Sequence, residues 1–137
     1  MRVFLDTNVL VSAVATRGLC ADVLREVLLS HQLIVSVDLL KELEKVLREK
    51  IGLPQPLISD FMEFIQQDAR FSGSSPLQKI PVKDKTDIPI LSAARNGGAD
   101  LFVTGDRELV DLERLGSMEI VSPRLFWEKL RSASSKK

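Results

Sequence analysis

The chain has 137 residues, 45% of them hydrophobic and 28% charged, and its 19 basic and 19 acidic side chains leave no formal net charge. That make-up fits one soluble globular domain with a genuine core and excludes a histone-like or polybasic protein, though not a nucleic-acid enzyme whose contacts are confined to one cleft. Cys20 and His31 stand alone, which excludes an internal disulfide and a Cys/His zinc site and leaves carboxylates as the abundant catalytic or metal-binding groups.

Arg2 to Leu5 is a short apolar, β-favouring segment, and Val9 to Val14 follows with helical spacing. Thr16-Arg17-Gly18 interrupts, a second helix runs from Ala21 to Ser30, and Leu33-Ile34-Val35 reads as a buried strand. No long uncharged apolar run and no signal-peptide pattern occurs, since Asp6 breaks the first apolar stretch; a cytoplasmic protein with no membrane partner is expected. Ser36 can cap a helix over Val37 to Lys50 with Leu39, Leu40, Leu43, Val46 and Leu47 as its apolar stripe. Pro54 and Pro56 break the chain before an amphipathic helix over Leu57 to Gln67.

From Phe71 through Ser72-Gly73-Ser74-Ser75-Pro76 a surface loop is expected, then a strand over Leu77 to Val82. A helix from Asp87 or Ile88 to Asn96 follows, capped by Asp84 or Thr86 and closed by Gly97-Gly98. Leu101 to Val103 is a strand, Leu109 to Leu112 a short helix, Met118 to Val121 a last strand, and Ser122-Pro123 opens a terminal helix. Residues 1–130 form one domain, and 131–137 a polar, disordered tail.

Alternating strands and helices describe an α/β three-layer sandwich: a central, mainly parallel twisted sheet of four or five strands flanked by helices. Right-handed crossovers put successive strand ends on one rim, where ligands bind in such sheets. Asp6 and Asp106 each follow a strand directly, Asp87 starts a helix after a third strand, and Glu42 lies early in a helix after a fourth. Asp6, taken with its neighbours alone, is more simply a helix cap, and Glu44 flanks the apolar stripe as Glu42 does. Four carboxylates on one rim repel one another, so they take up protons or a positive ion. Mg²⁺ or Mn²⁺ suits such oxygen ligands, can lower the pKa of a bound water and can stabilise charge on a phosphodiester.

Four segments carry a family resemblance: Val3 to Ala13 with Leu-Asp-Thr-Asn, Leu39 to Leu43 with Glu42, Asp84 to Ala94 with Asp87, and Gly98 to Asp106 with Thr-Gly-Asp. In this order the chain resembles, over nearly its full length, PIN-domain ribonucleases, in particular toxin components of toxin-antitoxin systems. The resemblance implies a compact parallel-sheet domain that cleaves single-stranded RNA with one or two divalent ions, through attack of a metal-activated water that leaves a 5′-phosphate and a 3′-hydroxyl. It makes Asp6, Glu42, Asp87 and Asp106 the acidic site, with Asp84 as the competitor to Asp87. Asn8 then supports the site by hydrogen bonding, and Thr104 has a similar role. Where relatives often place several acids around Asp87, this chain has Lys85-Thr86-Asp87-Ile88. Arg17, Lys83, Lys85 and Arg107 flank the proposed rim as candidate phosphate contacts. A cognate antitoxin and a homodimer are the expected partners.

Two other classes compete. A phosphatase with a strand-end aspartyl nucleophile needs a second acid two residues on, where this chain has Asn8. A catalytically weak or inactive module that binds RNA or a protein could carry the same fold.

Overall fold

The computed structural model describes the backbone of residues 1–135 and the side chains of residues 1–132. Arg2–Leu5 forms the central strand β1, and Val3, Phe4 and Leu5 are all fully buried. Successive strand side chains point to opposite faces, so both faces of the sheet are covered here. The elements then alternate as α1 (Thr7–Ala15), α2 (Leu19–Ser30), β2 (Gln32–Ser36), α3 (Val37–Val46), α4 (Gln55–Gln66), β3 (Arg70–Ser72), α5 (Ile88–Asn96), β4 (Leu101–Val103), α6 (Arg107–Val110), β5 (Arg114–Leu115), β6 (Met118–Val121) and α7 (Pro123–Ser135).

The sheet order is β3-β2-β1-β4-β6-β5, parallel throughout except for the antiparallel β5-β6 pair. It is the expected three-layer α/β sandwich, with six strands rather than four or five. Both additional strands are short. β3 falls where a loop was expected and has an exposed Phe71, so it lacks the continuous buried run of an inner strand. β5 has two residues and is turned back onto β6 through Gly116, whose φ of 62° suits glycine.

The centre of the core lies across β1 and β4. Phe4 and Phe102 are register partners and their rings stack at 5.4 Å between centroids, an arrangement worth about 0.5–1.5 kcal/mol beyond area burial. Leu39 and Leu43 on α3, and Leu47 in the turn that continues it, recur every four residues and are fully buried. Ser36 Oγ accepts from the Leu39 N–H at 3.1 Å, the expected cap. The helix expected to reach Lys50 is α-helical only to Val46, and then widens into a π turn over Leu47–Ile51.

The strand expected over Leu77 to Val82 is absent from the sheet. Its alternation is real, because Ile80 and Val82 are buried. Its backbone bonds go elsewhere, though: the Gln78 N–H donates to Ser92 Oγ at 2.8 Å and the Val82 N–H to the Ile80 carbonyl at 2.9 Å. Pro81 removes a donor a ladder would need, and Pro76 precedes the segment. The segment is thus strapped along α5, where Asn96 Nδ2 also donates to the carbonyls of Gly73 and Pro76.

The short helix expected over Leu109 to Leu112 begins earlier, at Arg107. α7 continues through Ser135, five residues into the stretch expected as a tail, while residues 136 and 137 lie outside the described residues. Among the described residues no single helix is long and apolar enough to cross a membrane.

Candidate active site

From β1 the chain moves outward in one direction through β2 to β3, and β4 and β6 lie on the other side. β1 and β4 therefore flank the topological switch point, where the crevice of a parallel sheet opens at the strand carboxyl ends. Asp6 follows β1 there and stays in the sheet network, its N–H donating to the Val103 carbonyl at 2.9 Å. Its side chain accepts from the Thr7 N–H at 2.8 Å and caps α1. Capping and a place on the rim are therefore not alternatives, because the strand passes into the helix without a loop.

Only 9% of Asp6 is exposed, and a buried carboxylate needs donors. Thr104, fully buried at the end of β4, supplies one: Thr104 Oγ1 donates to Asp6 Oδ2 at 2.8 Å. The same oxygen accepts from the Asp106 N–H at 3.0 Å, so one hydroxyl fixes both strand-end acids. Asn8 closes the network. Its Nδ2 donates to Asp6 Oδ2 at 3.1 Å, and its Oδ1 accepts from the Gly105 N–H at 2.9 Å. A Cβ on Gly105 would stand 3.3 Å from that Oδ1, so the close approach of the two turns favours glycine. Thr7 Oγ1, by contrast, is buried with no hydrogen-bond partner among the described residues.

The remaining acids reach the rim from helices. Glu42 is exposed on α3, and its side chain makes no ion pair or hydrogen bond among the described residues. Glu44, its competitor, is committed to Arg48 at 3.1 Å. Asp87 lies at the start of α5, at the end of a 3₁₀ turn over Lys85–Asp87, and its side chain makes no cap. Asp84 makes that cap instead: its Oδ1 accepts from the Thr86 N–H at 3.0 Å and from Thr86 Oγ1 at 2.6 Å. Asp87 was expected after a strand, and what delivers it is this capped turn.

Electrostatics tie the four together. Burial pushes the Asp87 carboxyl up to about 6, with the charges of Asp84, Asp6, Asp106 and Glu42 adding to the rise. Burial likewise raises Asp6 against the lowering effect of the Thr104 and Thr7 hydrogen bonds, and Glu42 and Asp106 raise it further. Asp84 is shifted the other way, held below the usual carboxylate range by its bonds to Thr86. Each of the four proposed acids is thus within electrostatic reach of others, and among the described residues none is ion-paired to a lysine or arginine. An unneutralised all-oxygen donor set fits a hard divalent cation in chemistry. Among the described residues, however, no three His, Cys, Asp or Glu side chains form a ready-made metal cage.

Arg17, Lys83, Lys85 and Arg107 are all exposed. Sequence reasoning did not single out Glu108, whose Oε1 accepts from the Lys83 N–H at 3.1 Å. Its partner lies 25 positions away, so no local pattern marks it.

A family model described as PIN domain matches residues 2–108. No curated protein matches the chain. Among solved structures, a chain in the crystal structure of VapBC2 from Rickettsia felis bound to a DNA fragment from their promoter has a similar fold. The TM-score is 0.64 at 17% sequence identity, covering 89% of this chain and 98% of that one. With the family match running from β1 into α6 and taking in Asp6, Glu42, Asp87 and Asp106, the chain belongs to the PIN domain family, whose members are generally nucleases.

Proposed function

We propose that this domain is a divalent-metal-dependent endoribonuclease of single-stranded RNA and the toxin of a toxin-antitoxin pair. The observation that carries the reading is that, on top of burial, Glu42 and Asp106 raise both Asp6 and Asp87, with Asp87 pushed up to about 6, while none of the four acids has a cationic partner among the described residues. Asp6, Asp87, Asp106 and Glu42 would hold one or two Mg²⁺ or Mn²⁺ ions. Bound there, such an ion lowers the pKa of a ligated water and stabilises charge on a phosphodiester.

The chain's own residues supply placement. Thr104 and Asn8 fix the Asp6 carboxylate, Thr104 also holds the Asp106 backbone, and Asp84 shapes the turn that presents Asp87. Arg17, Lys83, Lys85 and Arg107 are exposed cations for the phosphates of a single strand. The fold shared with a chain of VapBC2 and the motif order support a cognate antitoxin as partner. Incubation with a mixed RNA pool in Mg²⁺, in Mn²⁺ and in chelator tests the reading. Divalent-dependent cuts bearing 5′-phosphate and 3′-hydroxyl ends are expected. RNA binding without cleavage would favour an inactive binding module.

A further inference from the structure

Asp87 and Asp106 arrive at the rim on segments that are separate in the chain, and the segment leading to Asp87, seated on the core by Ile80 and Val82, makes few hydrogen bonds beyond itself. Among the described residues, the hydrogen bonds of residues 79–87 are internal, or run on into α5, with one exception: the Lys83 N–H donates to Glu108 Oε1 at 3.1 Å. Glu108 is also bound to the other acid, its own N–H donating to Asp106 Oδ1 at 2.9 Å. One residue therefore touches the backbone leading to Asp87 with its side chain, and the carboxylate of Asp106 with its backbone.

From Lys83 onward the turn has little freedom. Asp84 binds both the N–H and the hydroxyl of Thr86, and the Asp87 N–H donates to the Asp84 carbonyl at 3.1 Å. A constraint at Lys83 is thus passed over four residues to Asp87.

We propose that Glu108 is a positioning residue that sets the separation of Asp87 and Asp106 by accepting the Lys83 N–H, and so tunes the affinity of the acidic site for a divalent cation. The inference rests on the metal-dependent reading of that site. What the role needs is a hydrogen-bond acceptor; the negative charge of Glu108 is dispensable. Gln offers the same oxygen at the same length, whereas Ala offers none. Because Glu108 is exposed, neither replacement disturbs the core.

Three proteins decide it: wild type, E108Q and E108A. Hydrogen exchange on metal-free protein reads the turn directly. E108A is expected to lose protection at residues 83–87, and E108Q to keep it. Calorimetric titration with Mn²⁺ reads the consequence, with affinity falling by about 10- to 100-fold in E108A, the usual effect of losing a residue that orients ligands, and by less than about threefold in E108Q. Unchanged exchange in E108A overturns the proposal. So does an E108Q protein as weak as E108A for Mn²⁺, since Glu108 would then act through its charge, and so does wild-type protein that binds no Mn²⁺. Failure of the nuclease reading shows itself separately, as wild-type protein that binds Mn²⁺ and cleaves no RNA.

Discussion

Thr104 Oγ1 donates to Asp6 Oδ2 at 2.8 Å across 98 positions of sequence, joining the carboxyl ends of β1 and β4. The contact is buried, and the same hydroxyl receives the Asp106 N–H. Thr104→Val removes both of these bonds and the 3.4 Å bond that Asn8 Nδ2 donates to Thr104 Oγ1, while nearly keeping shape. A buried polar group left without its partner costs about 1–3 kcal/mol, so denaturant unfolding should show a loss of that order. Divalent-dependent cleavage should fall about 10- to 100-fold as Asp6 loses its orientation.

Thr7, next to Asp6 in the same motif, has the opposite expectation. Its hydroxyl is buried without a partner among the described residues, so Thr7→Val removes an unsatisfied group and loses no bond. Stability should hold or rise by up to about 1 kcal/mol. A loss as large as that of Thr104→Val in the same unfolding experiment would contradict the difference drawn between the two threonines.

pH acts on the metal-free protein through Asp87. Its folded value of about 6 lies above the unfolded carboxylate range, so between roughly pH 4 and 6 the folded state holds more protons than the unfolded one. The contribution of Asp87 to stability is therefore present at low pH and is lost as pH rises through about 6. Asp6, also raised, acts in the same sense; Asp84, held low, acts in the opposite one but is fully exposed. Asp87→Asn should raise the melting temperature in chelator at pH 7 and flatten its rise between pH 7 and 5, as followed by circular dichroism. A lower melting temperature for that variant at pH 7 would contradict the repulsion on which the site is argued.

Gly97 tests how α5 is seated. A Cβ there would stand 2.9 Å from Ser72 Cβ and 3.0 Å from Ile34 Cγ2, so Gly97→Ala must push the end of α5 away from β2 and β3. Overpacking of this kind costs about 1–3 kcal/mol. Urea unfolding measures it, and a neutral result would mean the helix end yields freely.

The inner strands β1, β2 and β4 were legible because each is a buried apolar run, with turn or helix residues after it. β3 was not, since a three-residue edge strand with an exposed Phe71 leaves no periodic trace. The alternation of Ile80 and Val82 suggested a strand where only burial exists, because periodicity reports which side chains face the core and not where the backbone bonds go. Asp6 and Asp106 could be found from their strands. Asp87 was named for a helix start that is correct and a preceding strand that is absent. Glu42 was preferred to Glu44 for lying nearer the helix start, a matter of position on α3 that periodicity alone does not decide, while the Glu108–Lys83 contact joins distant segments and leaves no pattern to read.

The central claim is that Asp6 anchors a cation site that cuts RNA, and Asp6→Asn tests it most directly. Asparagine keeps the shape and one oxygen for the Thr7 N–H that caps α1, and the Thr104 hydroxyl can turn to accept from the new amide, so the fold should survive, as a cooperative melt would show. Wild type and Asp6→Asn are compared on the same single-stranded RNA in Mn²⁺ and in chelator, with product ends mapped. Cleavage by wild type only, only in Mn²⁺, and with 5′-phosphate ends is the predicted result; full cleavage by a folded Asp6→Asn protein would contradict it.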